Sequence, residues 1–169
     1  RLFEVQTKHA EQLVNLDDPF GKRLMREFDT RTFGEAEEAT FRITDLTLGQ
    51  RMTRFQISGN EYCMPLIGRH NVANAAAAVG LARGIGISAD ECAKALATAE
   101  PVPGRLEPIN CGQPFAVYVD YAHTDDALRQ VLVTLREITP GRLHVIFGCG
   151  GNRDAGKRFK MGAVAAELA

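Results

Sequence analysis

Leu143-His144-Val145-Ile146-Phe147-Gly148-Cys149-Gly150-Gly151-Asn152-Arg153-Asp154-Ala155-Gly156-Lys157-Arg158 is an apolar run that opens directly into a glycine-rich, strongly basic loop. Glycines let backbone N–H groups approach a ligand with no Cβ in the way, and the cations supply charge-assisted hydrogen bonds. A strand that ends in such a loop gathers phosphate or carboxylate groups. A surface turn with solvated charges is the bland alternative, because an isolated glycine-rich loop is weak information. The sequence upstream decides between the two.

From Phe115 the pattern reads strand (Phe115 to Val119), helix (Asp125 to Ile138), strand (Leu143 to Phe147), loop, and helix from about Lys160. Ala127, Leu128, Val131, Leu132, Leu135 and Ile138 give the first of these helices one apolar face. Strand, helix and strand joined by short turns predict a Rossmann-like parallel sheet, in which ligands sit beyond the carboxyl ends of the strands. Both strands end in polar signatures, Asp120-Tyr121-Ala122-His123-Thr124 after the first and the basic loop after the second, so Asp120, His123, Arg153 and Lys157 are expected at one edge. Asp120 suits ribose hydroxyls or the capping of the turn that follows, and His123 suits a phosphate or the shape of that turn.

The earlier part reads as mixed α/β. Gln12 to Val14 is a short strand, Asn15-Leu16-Asp17-Asp18-Pro19 a turn and Gly21 to Phe28 a helix, with Pro19 suited to a first helical turn. Phe41, Ile43, Leu46, Leu48, Met52, Phe55 and Ile57 recur about every second position around Gly49-Gln50, which predicts a hairpin. Beyond Pro65 the period becomes helical, with Asn71, Val72, Ala75, Ala76 and Val79 along one side and Arg83-Gly84-Ile85-Gly86 as the stop. Ser88-Ala89-Asp90-Glu91 is a capping box for a helix to about Ala99. Asn71 and Asn74 lie one turn apart and suit an adenine edge, although capping by Asn71 explains half of this. Pro101-Val102-Pro103-Gly104 breaks the pattern and places a domain junction just after it. Arg105 at that hinge either contacts phosphate or pairs with Glu107.

With 169 residues, 45% apolar and 24% charged, the chain holds one globular domain or parts of two. A net charge of −1 gives no support to a nucleic-acid partner. Cys63, Cys92, Cys111 and Cys149 form no C-x-x-C pair, which argues against zinc and disulfides and for a reduced, cytoplasmic compartment. Ala73 to Ala82 is too short and weakly apolar to span a bilayer, so no membrane association is expected. The chain starts without methionine and stops within a helical pattern, so an internal piece of a longer protein is expected.

Taken together, these segments resemble the Mur ligase family of ATP-dependent amide-bond-forming enzymes, most closely its UDP-N-acetylmuramoyl-tripeptide synthetase branch. Five pieces carry the resemblance, in family order: Asn15-Leu16-Asp17-Asp18, Gly68 to Asn74, Val102 to Glu107, Val119 to Thr124, and Phe147 to Arg158 continuing to Met161-Gly162. Two family prolines are replaced, by Asp125 after His123-Thr124 and by Phe159 after Lys157-Arg158.

The resemblance implies residues 1–107 as the end of a central ATP-binding α/β domain, and 108–169 as the start of a Rossmann-like C-terminal domain. It implies a reaction in which ATP phosphorylates the carboxylate of a UDP-N-acetylmuramoyl dipeptide and a diamino acid displaces phosphate, in a monomeric enzyme. Asn71, Asn74, Arg105, Asp120, His123 and Lys157 are implied on the ATP side and Arg153 at a carboxylate of the incoming amino acid. Lys157 and Arg158 serve either the phosphates or the loop. The family's phosphate loop, Mg2+ ligands, carbamylated lysine and amino-acid-selecting motif have no match here, so this piece alone is expected to be inactive. Folylpolyglutamate and cyanophycin synthetases are the related alternatives, and a non-catalytic nucleotide-binding module is the alternative of another class. A redox dinucleotide enzyme is disfavoured because no G-x-G-x-x-G follows the strand ending at Asp120.

Overall fold

The computed structural model describes residues 11–150 and 156–169, and these form two compact units. The first comprises residues up to Thr47 with Arg51–Ala99, and the second Leu48–Gln50 with Glu100–Ala169.

The first unit is a five-stranded sheet of β1 (Leu13–Asn15), β2 (Arg31–Gly34), β3 (Phe41–Thr47), β4 (Thr53–Ile57) and β5 (Asn60–Met64), in that spatial order. β1, β2 and β3 run parallel, and β3, β4 and β5 form an antiparallel meander. Helix α1 (Pro19–Glu27) makes the crossover from β1 to β2. It starts where the Asp18 carboxylate accepts from the Phe20 and Gly21 N–H groups, with Pro19 in the first turn where no N–H is needed. The expected hairpin is β3–β4, with Ile43 opposite Ile57 and Phe41, Ile43, Phe55 and Ile57 buried. Period two sends Arg42 and Arg54 outward.

Helix α2 (Arg69–Gly84) lies against this sheet with Val72, Ala75, Ala76, Val79 and Gly80 buried. The approach is close: a Cβ on Gly80 would stand 2.8 Å from Leu13 Cδ2 and 3.0 Å from Phe41 Cδ2. Small residues there let the helix sit on large ones in the strands. Gly86 takes φ +91 just past the helix, as the stop signal requires, and Ile87 N donates to the Ala82 carbonyl at 3.0 Å. Helix α3 (Ala89–Ala97) opens on the expected capping box, Ser88 Oγ accepting from Glu91 N and Glu91 Oε2 from Ser88 N.

The second unit contains β6 (Glu107–Pro108), β7 (Tyr118–Val119), α4 (Asp125–Glu137) and α5 (Gly156–Leu168). The two helices close on Leu128, Leu132, Met161 and Val164, against which Leu143, Val145, Cys149 and Leu168 pack. Burying side chains of this size contributes about 1.5–3 kcal/mol each. The local strand pattern here departs from expectation. Tyr118–Val119 pairs antiparallel with Glu107–Pro108, and among the described residues Leu143 to Phe147 joins no ladder. Its side chains still alternate, Leu143 and Val145 half-buried and His144 and Ile146 exposed, so the pattern followed helix packing on one side only. A two-strand ladder is marginal without further strands or covering, which is why alternation alone did not produce a sheet here. The α/β class holds, with the parallel strands in the first unit.

Candidate functional site

In the first unit the candidate residues cluster at the amino end of α2. Gly68 precedes the helix at φ +90 and ψ 149 with no side-chain cap. Asn71 is half-buried and Asn74 exposed, one turn further along. The capping role considered for Asn71 is corrected: its Nδ2 donates backward to the Ile67 carbonyl at 2.9 Å, because an amide at the third helical position reaches the preceding loop more easily than the free N–H groups.

In the second unit, residues 104–107 and 118–123 are fastened together. Tyr121 N donates to the Gly104 carbonyl at 2.8 Å, and Gly104 N donates to Glu107 Oε2 at 2.8 Å. Among the described residues no ion pair joins Arg105 to Glu107, because the Glu107 carboxylate is turned onto that backbone N–H instead. The Arg105 guanidinium lies 6.0 Å from the centre of the Tyr121 ring, whose edge contacts the His123 ring at 5.2 Å. Tyr121 is 69% exposed. Its place between a cation and an imidazole gives it a flat apolar face beside charge, a role not drawn from the sequence although the motif contains it.

Asp120 is anchored at both oxygens, accepting from Leu106 N at 2.9 Å and from Ala122 N at 2.8 Å. Leu106 is held at φ +44, a left-handed conformation rare for a leucine, by that first bond. Each carboxylate oxygen keeps capacity to accept a further hydrogen bond. His123 Nδ1 lies 3.1 Å from the Tyr121 carbonyl; a carbonyl only accepts, so Nδ1 carries the proton.

Lys157 and Arg158 stand in the first turn of α5. Cations at that end oppose the helix dipole, a cost that an anion beside them would offset. Arg153 lies outside the described residues. Two open depressions, of about 310 and 450 Å³, are lined by Asp125, Arg129, Phe159 and Lys160 in one case and by Asp45, Arg54, Tyr62 and Cys63 in the other. Neither includes a nucleotide-side candidate. Burial pushes the Tyr62 phenol up from its ordinary pKa. Among the described residues no three His, Cys, Asp or Glu side chains converge as a metal-holding group.

Residues 1–82 match the Mur ligase middle domain, and residues 104–169 match the glutamate ligase domain of Mur ligases. The chain belongs to the Mur ligase family. It is 40% identical over 166 residues to the UDP-N-acetylmuramoyl-L-alanyl-D-glutamate--2,6-diaminopimelate ligase of Streptomyces avermitilis, covering 93% of this chain and 33% of that protein. A solved structure of a ligase of the same name superposes with a TM-score of 0.70 at 31% identity, covering 93% of this chain and 34% of that one. Folylpolyglutamate synthetase from Lactobacillus casei shares the fold, with a TM-score of 0.68 at 15% identity over 98% of this chain and 42% of that one. This Mur ligase chain thus spans about one third of the length of the ligases of that name. Among the described residues no helix is long and apolar enough to cross a membrane.

Proposed function

We propose that the whole protein is an ATP-dependent ligase that adds a diamino acid to UDP-N-acetylmuramoyl-L-alanyl-D-glutamate through an acyl phosphate. Identity of 36–40% to ligases named for 2,6-diaminopimelate, running through both family domains in order, carries this reading and favours that amino acid over lysine. The junction between the middle-domain portion and the C-terminal portion falls within Pro101 to Glu107.

ATP is a substrate here, and the chain's donor set suits it. Asn71 and Asn74 meet the adenine, Asp120 the ribose through its outward lone pairs, and Arg105 the phosphates, with Tyr121 and His123 shaping the same turn. Lys157, at an N–H-rich helix end, adds charge for phosphate. Arg153 holds a carboxylate of the incoming amino acid, where a planar guanidinium forks onto two oxygens. Charge spread over a transferring phosphoryl group calls for such cations. Mg2+ supplies further charge neutralisation when bound, with its ligands expected outside this chain. A cytoplasmic location follows from the nucleotide substrates.

The full-length protein incubated with ATP, UDP-N-acetylmuramoyl-L-alanyl-D-glutamate and meso-diaminopimelate should release phosphate only when all three are present, with a product of the tripeptide mass. Phosphate release with folate and glutamate instead would establish the folylpolyglutamate alternative. Nucleotide binding with no turnover on any amino acid would establish the non-catalytic module. The 169-residue chain alone is expected to show no ligation.

A further inference from the structure

We infer that Asp17 and the Glu35–Arg69 pair are positioning residues for the nucleotide side of the site, acting through the start of α2. This rests on the proposed adenine role of Asn71 and Asn74.

The start of α2 has little of its own to hold it. Gly68 supplies no side-chain cap, and Arg69, the first helical residue, puts a positive charge at the positive end of the dipole. Both features cost stability unless something outside the helix compensates. Glu35 supplies one such compensation, its Oε1 accepting from Arg69 Nη1 at 2.9 Å.

A half-exposed ion pair between flexible side chains contributes little unless one partner is fixed. Glu35 is fixed through its backbone. Its N–H donates to Asp17 Oδ1 at 3.0 Å and Oδ2 at 2.9 Å, and Ala36 N donates to Oδ1 at 3.0 Å. Successive N–H groups curled round an anion form a nest, and here the anion is built in. Gly34 makes the nest possible: it takes φ +146, and a Cβ there would lie 2.6 Å from Asp17 Oδ2. Asp17 is itself tethered, its N–H donating to Asn15 Oδ1 at 2.9 Å.

The chain of contacts runs from the turn after β1, through the turn after β2, to the first residue of α2, all within the first unit. Asn71 and Asn74 follow Arg69 by two and five positions, so the orientation of that first turn sets where their amides point. Asp17 touches no proposed substrate atom, and its effect passes through Glu35 and Arg69.

The test uses the full-length ligase and steady-state kinetics with each substrate varied in turn. Glu35→Gln and Arg69→Met should each raise KM for ATP about three- to fivefold while kcat, and KM for the dipeptide and the diamino acid, stay within twofold. The charge swap Glu35→Arg with Arg69→Glu should restore KM for ATP to within twofold of the parent. Asp17→Asn should raise it about tenfold; should that variant fold poorly, the Glu35 and Arg69 variants decide alone. Asn74→Ala serves as the reference for the nucleotide reading. A raised KM in Asn74→Ala with unchanged KM in Glu35→Gln and Arg69→Met would overturn the positioning role and leave the reading intact. An unchanged KM in Asn71→Ala and Asn74→Ala alike would overturn both. Failure of the swap to restore a KM raised by the single variants would also overturn the pair.

Discussion

Replacing Asp120 separates two jobs that converge on it, shaping a turn and meeting a ribose. Alanine removes both backbone bonds, from Leu106 N at 2.9 Å and Ala122 N at 2.8 Å. Hydrogen bonds to a charged acceptor contribute roughly 1.5–3 kcal/mol each, and the half-exposed setting puts these at the low end, about 3 kcal/mol together. Against this, Leu106 is freed from φ +44, which returns about 1 kcal/mol of backbone strain. The net cost is about 2 kcal/mol, or roughly 4–8 °C in the melting temperature of a chain this size. Asparagine keeps one acceptor oxygen, so Asp120→Asn should lose about half as much. Calorimetry on the 169-residue chain measures both. In the full-length enzyme the same variants should raise KM for ATP, and a ribose contact adds a signature: the penalty for 2′-deoxy-ATP against ATP, present in the parent, should vanish in Asp120→Ala. Melting temperatures unchanged in both variants would refute the anchoring argument. A deoxy penalty that persists would refute the ribose contact alone.

Three further outcomes follow from separate parts of the molecule. Gly80→Ala should destabilise by about 1 kcal/mol in denaturant unfolding, because overpacking against Leu13 and Phe41 costs about 1–3 kcal/mol and helix propensity returns about 1; a more stable variant would show that α2 can back away from the sheet. The Ser88 hydroxyl and backbone N–H, both bonded to Glu91, hold its carboxyl below the ordinary range. A lowered folded-state value means a contribution present above the unfolded pKa and lost as pH falls through the folded one, so Glu91→Gln should destabilise at pH 7 and converge with the parent in acid; a constant difference across that window would contradict it. In the full-length enzyme, Arg153→Ala should raise KM for the diamino acid far more than KM for ATP, and the reverse pattern would move Arg153 to the nucleotide.

Local chemistry made some elements readable and others not. Ser88-Ala89-Asp90-Glu91 carries its helix start in four residues and formed as read, whereas α1 begins at Pro19 on the Asp18 cap, two residues before the expected Gly21. The β4–β5 turn was equally available: Ser58-Gly59 takes φ +49 and +79, the pair of left-handed residues a two-residue hairpin needs, yet β5 was not anticipated because Glu61 and Cys63 blur its alternation. β2 is four residues long and flanked by polar ones, so its burial depends on parallel neighbours that no local pattern announces. Leu143 to Phe147 shows the converse, a clean apolar run whose pairing is not local information. In the candidate segments, the partner of each side chain was legible only where it lay a few residues away. Asp17 to Ala36 and Asp120 to Leu106 span 19 and 14 positions.

Those long-range bonds share one logic. Asp17, Asp18, Glu107 and Asp120, acidic residues of the candidate motifs among the described residues, turn their carboxylates onto backbone N–H groups: Glu35 and Ala36, Phe20 and Gly21, Gly104, and Leu106 and Ala122. A carboxylate satisfied by amides fixes a turn and neutralises part of its own field, so it repels an approaching phosphate less than a free one would. The Arg105 guanidinium meanwhile lies over the Tyr121 ring, 6.0 Å from its centre. These carboxylates thus serve the shape of the turns that carry the candidate residues. The proposed acyl-phosphate chemistry asks for such shaped turns, since its catalysis is positioning plus stabilisation of charge on the transferring group.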